Sequence, residues 1–276
     1  MADDGNVARA RRWALRLRRH VLPSVALVVV LVLGWYFVAR VSGFDSFILP
    51  SPLEVVQAGW ETRGLLLDAI GSTLLATIIG LTLALVAVIG MAALLDFSFL
   101  ARSALYPLLV VSQTVQILAI APILVIWFGF GMIPTVAIVV LFCFFPLAIS
   151  TADGLASSEP ELIALLRSMG ASRWQIWRMV RLPSALPSFF SGLRLAVTYS
   201  IVAATIGEWV GGSPGLGLYL LRSKNALATD QVFAAMLVTS LLSVALFALV
   251  YVVERVTLRW YHSMQRKEQW DDVGIY

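Results

Sequence analysis

The sequence predicts an all-α integral membrane protein with about six transmembrane helices. Of its 276 residues 60% are apolar and only 13% are charged, whereas a soluble domain holds about 45–50% and about 25%. Mean hydropathy is +0.89 and aromatic residues make up 11%, the reverse of the composition that keeps chains disordered. The apolar residues also gather into stretches close to the ~20 residues that span a bilayer's hydrocarbon core. That distribution excludes a soluble globular enzyme.

Taken in order, the spans fall at 21–39, 69–95, 103–128, 134–149, 188–210 and 232–253. The first follows Arg9, Arg11, Arg12, Arg16, Arg18 and Arg19. Its apolar stretch exceeds the roughly 7–15 residues of a signal peptide, and Arg40 stands where cleavage needs small residues, so it reads as an uncleaved helix. The third and fourth spans come from one nearly continuous apolar run, divided at Gly129-Phe130-Gly131, where a turn costs least. Between the fourth and fifth lies the longest loop, about 152–187. Residues 1–20 and 263–276 read as polar tails of a single transmembrane domain over 21–262.

Lysine and arginine set the orientation. The six N-terminal arginines, Arg102, Arg167, Arg173, Arg178, Arg181, Arg255, Arg259, Arg266 and Lys267 fall on one side, and Arg40, Arg63, Arg222 and Lys224 on the other. The positive-inside rule places the richer side, with both termini and the long loop, in the cytoplasm. Basic residues that flank apolar spans account for the net charge of +4 without nucleic acid. Arg194, inside the fifth span, is expected to snorkel to the cytoplasmic interface.

Several chemistries are excluded. Cys143 is the single cysteine, and His20 and His262 lie near opposite ends, so neither a disulfide framework nor a histidine metal site is expected. A P-loop needs a lysine after glycine to wrap phosphates, and neither Lys224 nor Lys267 follows one. Any ATP is therefore expected on a partner chain, with no cofactor bound here. Gly211-Gly212-Ser213-Pro214-Gly215 has the spacing of a serine nucleophile elbow, but both histidines are expected on the other side of the membrane, so it reads as a turn leaving the fifth span.

The long loop carries the most information. Ser158-Glu159-Pro160-Glu161 has the pattern of a helix start, with Ser158 as cap and Glu161 as its capping-box partner. That helix runs to about Met169, and Gly170 then stands where helices end in a left-handed residue. Ser172 with Gln175 opens a second helix expected to stop before Pro183. Its tryptophans and arginines interleave, so the pair either lies on the membrane surface or docks a partner.

From Gly170 through Val180 to Arg181-Leu182-Pro183, this loop resembles the cytoplasmic coupling motif of ABC-importer permeases. That motif reads Glu-Ala-Ala, three residues, Gly, nine residues, Ile-x-Leu-Pro. Ala164-Leu165-Leu166 occupies the Glu-Ala-Ala positions, so the motif's glutamate is absent. Phe47 to Pro52, Ala121-Pro122 through Gly129, and Gly215-Leu216-Gly217 are similar to the sulfonate, nitrate, taurine and thiamine-precursor group of these permeases. The resemblance covers roughly residues 20 to 262.

It implies a type I ABC-importer permease fold in a bacterial inner membrane, with the coupling loop between spans four and five. It also implies a second permease copy as a homodimer, two ATPase subunits that grip the loops, and a solute-binding protein. On that reading Glu161, Ala164, Leu165, Gly170, Arg173, Leu182 and Pro183 couple to the ATPase. Glu208-Trp209-Val210-Gly211 leans toward the pyrimidine and riboflavin branch, with sulfonate, taurine and nitrate as the other solutes of the group. Path candidates are polar or aromatic groups stranded in apolar spans: Gln113 and Gln116 on one helical face, Trp127, and Glu208 near the outer end of span five. Interhelical packing competes for the glutamines, an interfacial belt for Trp127 and Phe128, and a water-exposed carboxylate for Glu208. The alternative class is a gradient-driven secondary transporter, but intramembrane carboxylates and inverted repeats are not evident.

Overall fold

A computed structural model describes residues 4–41 and 47–259. Its regular elements there are all helical. In chain order they are α1 (Asp4–Val41), α2 (Pro52–Glu61), α3 (Arg63–Phe97), α4 (Phe99–Ser112), α5 (Ile117–Phe128), α6 (Met132–Ala156), α7 (Pro160–Ser168) and α8 (Arg173–Ile176). A π turn (Trp177–Arg181), α9 (Leu182–Gly211), α10 (Leu216–Asn225) and α11 (Thr229–Thr257) follow. Among the described residues, four stretches are long and apolar enough to cross a membrane: Arg63–Phe97, Met132–Ala156, Arg173–Gly211 and Thr229–Thr257. The first expected span lies in α1, which begins at Asp4, so the backbone from 4 to 20 extends that helix where a tail was expected. The expected tail over 263–276, and His262, lie outside the described residues.

The third expected span is not one helix. Four of the five residues from Ser112 to Gln116 are polar, and their groups turn back on the chain. Ser112 Oγ donates to the Leu109 carbonyl at 2.6 Å and Thr114 Oγ1 to that of Val111 at 2.7 Å. The N–H groups of Gln113, Thr114 and Val115 reach carbonyls three residues back. Tightening to that shorter reach ends α4, and α5 restarts after Gln116, whose backbone is extended. The turn expected after α5 is present, with Gly129 at φ 78° and Gly131 at φ 120°.

Two further short helices escaped the sequence reading. α2 starts in a complete capping box, in which the Ser51 N–H donates to Glu54 Oε2 at 2.7 Å and the Glu54 N–H donates to Ser51 Oγ at 3.4 Å. Pro52 occupies its first turn, where a missing N–H costs nothing. α10 follows the Gly215 turn.

The chain divides into two compact units, Met1–Arg63 with Ser223–Ala234, and Gly64–Arg222 with Ala235–Tyr276. In the first, Thr229 Oγ1 donates to the Phe47 carbonyl at 2.6 Å, and Trp35 stacks on Phe233 with centroids 5.8 Å apart. The second is built on α6 packed along α9. Ile138, Val139, Cys143 and Leu147 of α6 meet Ala196, Ala203 and Ala204 of α9, with Ala84 and Val88 of α3 beside them, all buried. Lipid offers no hydrophobic drive for helices to associate, so close backbone approach must supply the attraction, and small residues allow it. A Cβ at Gly207 would lie 2.7 Å from Thr135 Cα, and one at Gly192 2.6 Å from Ser150 Cβ. Cys143 Sγ also donates to the Ala196 carbonyl at 3.3 Å.

Gly207→Ala is therefore expected to force these helices apart, at a cost of about 1–3 kcal/mol. Gly71, whose added Cβ would meet nothing within 4 Å, is the control. In mild detergent the melting temperature of Gly207→Ala should fall by several degrees while Gly71→Ala stays at the wild-type value, and equal melting of the two would contradict the seam.

Candidate functional site

The loop between α6 and α9 folds into a compact knob. Its start differs from the sequence expectation. Ser158 Oγ donates back to the Leu155 carbonyl at 3.1 Å, and Glu159 is the N-cap residue without a side-chain cap. Glu161 lies in the first turn of α7, where a carboxylate complements the helix dipole. The far end closes as a Schellman motif. The Ala171 N–H donates to the Leu166 carbonyl and the Gly170 N–H to the Arg167 carbonyl, both at 3.0 Å. This closure requires a left-handed residue, and Gly170 supplies it at φ 83°.

Ser172 then opens α8 with a full capping box. Its N–H donates to Gln175 Oε1 at 2.7 Å, and its Oγ accepts from the Gln175 N–H at 3.3 Å. The expected stop before Pro183 does not occur. The helix widens into the π turn, where the Leu182 N–H donates to the Trp177 carbonyl five residues back, and continues into α9 with Pro183 in its first turn. The wider turn accommodates a proline that has no N–H to donate. From Arg173 to Gly211 the helix is thus continuous over 39 residues. Leu182 and Pro183 consequently begin the spanning helix instead of ending the loop.

The knob's two faces differ. Ile176 and Val180 are buried, while Ala164 is exposed and Leu165 and Met169 are 56% and 74% exposed. The helices also extend beyond the expected spans, which brings acidic residues into them. Asp96 sits in the last turn of α3 and pairs with Arg181 of the π turn. Asp153 of α6 accepts from the Tyr106 hydroxyl at 2.7 Å. Arg194 does not snorkel alone: its guanidinium lies 3.1 Å from the carboxylate of Glu254 on α11.

At the opposite end of α9 a second cluster closes the bundle. The Gly131 N–H donates to the Gly211 carbonyl at 2.8 Å, and the hydroxyls of Thr135 and Ser213 share a hydrogen bond of 2.8 Å. Ser213 is buried, and its hydroxyl is engaged by that threonine. Glu208 is fully buried, which overturns the water-exposed reading. Its Oε2 accepts the Gly217 N–H at 2.7 Å, and Thr73 Oγ1 accepts the Leu216 N–H at 2.9 Å. A side chain at Gly215 would collide with the Glu208 carboxyl. The carboxylate is a latch that holds the 212–217 turn onto α9 and α3.

The remaining path candidates are not gathered into one site. Gln113 and Gln116 flank the α4–α5 break, not one helical face, and both are exposed. Trp127, at the other end of α5, is 72% exposed. Thr73, Thr135 and Asp96 were missed because a lone threonine or a span-end aspartate carries no spacing signal.

Comparison with known proteins identifies the architecture. Residues 85–259 match the family described as the binding-protein-dependent transport system inner membrane component. The formylaminopyrimidine transport permease protein ThiX of Halalkalibacterium halodurans is 36% identical, over 86% of this chain and 95% of its own length. The riboflavin transport system permease protein RibX of Chloroflexus aurantiacus is 34% identical, over 88% and 93%. The taurine transport system permease protein TauC of Escherichia coli is 29% identical, over 94% and 96%. In fold, the chain is similar to a chain of the inward-facing MetNI methionine ABC transporter, with a TM-score of 0.56 at 19% identity over 70% of this chain and 98% of that one. The chain belongs to the binding-protein-dependent transport system inner membrane component family, and it is an ABC-importer permease subunit, not an enzyme.

The latch has a measurable signature. Glu208→Gln keeps an acceptor for the Gly217 N–H, whereas Glu208→Ala leaves that buried donor unpaired at a cost of about 1–3 kcal/mol. Limited proteolysis at the 212–217 turn should therefore be accelerated in the alanine variant and near wild type in the glutamine variant.

Proposed function

We propose that this permease pairs with a second copy of itself to line the path of a small solute, with both termini and the α7–α8 knob on the cytoplasmic side. Two ATPase subunits, which bind the ATP, seat the knobs, and a solute-binding protein delivers cargo to the opposite face. The observation that carries this reading is the unbroken helix from Arg173 to Gly211, which joins the Gly170 turn to the membrane interior without a hinge loop.

Each coupling residue has a role in that reading. Gly170 makes the knob compact, and Arg173 opens the helix that transmits its movement. Ala164 and Leu165, with Met169, present the exposed apolar surface that a partner cleft covers, an arrangement typical of an interface core. Glu161 adds a carboxylate at the knob's edge. Leu182 and Pro183 carry the movement across the π turn into the span.

The path is assigned to Gln113, Gln116 and Trp127. Backbone that leaves the helix at membrane depth is tolerated where it lines a wet cavity or is covered by protein, and the α4–α5 break satisfies this once a second copy faces it. Glu208 supports the path from behind by holding the outer turn. For cargo we favour a heteroaromatic vitamin precursor of the formylaminopyrimidine or riboflavin kind. Two relatives above 30% identity carry such names, and Arg194, the cation inside span five, is paired with Glu254 and offers no free charge for an anion.

Gly170 provides the test. Valine there faces open space but must adopt a left-handed conformation at about 1–2 kcal/mol, while asparagine tolerates it. With membrane levels equal, uptake of labelled formylaminopyrimidine or riboflavin by the reconstituted transporter should fall at least about tenfold in Gly170→Val and persist in Gly170→Asn. Unchanged uptake in the valine variant would contradict the coupling role.

A further inference from the structure

At the knob end of the larger unit, four arginines from separate elements converge. Arg102 lies in the first turn of α4, Arg167 in the last turn of α7, Arg173 opens α8 and Arg181 closes the π turn. All four line one cavity of about 310 Å³, together with Asp96 and Phe97. Asp96 is the one carboxylate in that lining, and it already pairs with Arg181. Arg102, Arg167 and Arg173 are exposed and Arg181 is half-buried; guanidinium groups that line one cavity attract an anion into it, and their planar forks match phosphate oxygens.

The surroundings indicate which phosphate. Asp96 and Phe97 end α3, one of the helices long and apolar enough to cross a membrane. Phe97 packs against Trp177 at 6.0 Å between centroids, and Trp177 stacks on Trp174 at 5.0 Å. The Trp177 indole N–H is buried without an acceptor. Tryptophans with an apolar body and a donor to satisfy collect at headgroup level. Phe97, 43% exposed, and Ile176 give the cavity lining an apolar part.

We propose that this cavity binds the phosphodiester headgroup of an anionic membrane lipid, with the arginines on the phosphate and the acyl chains along the Phe97 side. A free phosphate matches the arginines equally well but has no use for the aromatic and apolar rim. A lipid seated there ties α7 and α8 of the knob to the ends of α3 and α4, so that knob position depends on membrane charge. The site does not depend on which solute crosses.

Native mass spectrometry of the full chain in mild detergent tests this, with dioleoylphosphatidylglycerol, dioleoylphosphatidylcholine or inorganic phosphate added. The wild type should retain phosphatidylglycerol about tenfold better than phosphatidylcholine. Arg102→Gln with Arg167→Gln, which removes two of the four guanidinium groups, should cut that preference to about threefold, because each basic group near an anionic surface contributes roughly equally. Asp96→Asn, which removes the lining carboxylate, should retain phosphatidylglycerol more tightly than wild type, an effect that lost folding cannot mimic. Retention unaffected by the arginine changes, or no preference for the charged lipid, would overturn the proposal. So would protection by inorganic phosphate equal to that by phosphatidylglycerol, which would make the occupant a free anion.

Discussion

Everything else in the larger unit depends on how closely α6 can approach α9. In lipid the two helices gain nothing by hiding from water, so their association rests on dispersion between backbones in contact and on the few hydrogen bonds between them. Gly192 and Gly207 permit that approach, and Cys143, Thr135 and Gly131 supply polar contacts along it. A methyl group in the seam displaces more than a side chain. It moves the helix that carries the knob at one end and the latch at the other.

That helix explains how two distant features belong to one device. At a rise of about 1.5 Å per residue, the stretch from Arg173 to Gly211 is about 58 Å long. Its N-terminal end grows out of the Ser172 capping box and passes Pro183 by widening to a π turn instead of breaking. Its C-terminal end is pinned by Glu208, whose carboxylate accepts the Gly217 N–H and closes the turn that follows. Force applied at the Gly170 knob thus meets a continuous rod packed on α6, with ion pairs from Arg181 to Asp96 and from Arg194 to Glu254 linking it to α3 and α11.

How much of this was legible in the sequence varied with the range of the interaction. Apolar run length placed the long helices, and the Gly129 and Gly170 turns followed from residues that relieve left-handed strain locally. The Ser172 box was also visible, because its donors and acceptors lie three residues apart. Ser158 misled for the opposite reason: a first-turn N–H donor and the Leu155 carbonyl acceptor compete for its hydroxyl, and it takes the carbonyl. The break after Ser112 was hidden inside an apolar run, although the polar cluster there was noticed as path-lining. Pro183 pointed to a helix end because sequence patterns do not encode a π turn. Glu208 and Arg194 could not be assigned partners, since Gly217, Thr73 and Glu254 come together only in the fold.

In the function proposed above, this permease works by seating its knob in a separate ATPase. The most direct measurement is purification of the tagged full chain from its own membranes in gentle detergent, with mass spectrometry of the proteins that accompany it. A stoichiometric partner that carries a P-loop is the expected result. A chain that arrives alone, and that crosslinking in intact membranes also joins to no ATPase, would contradict it.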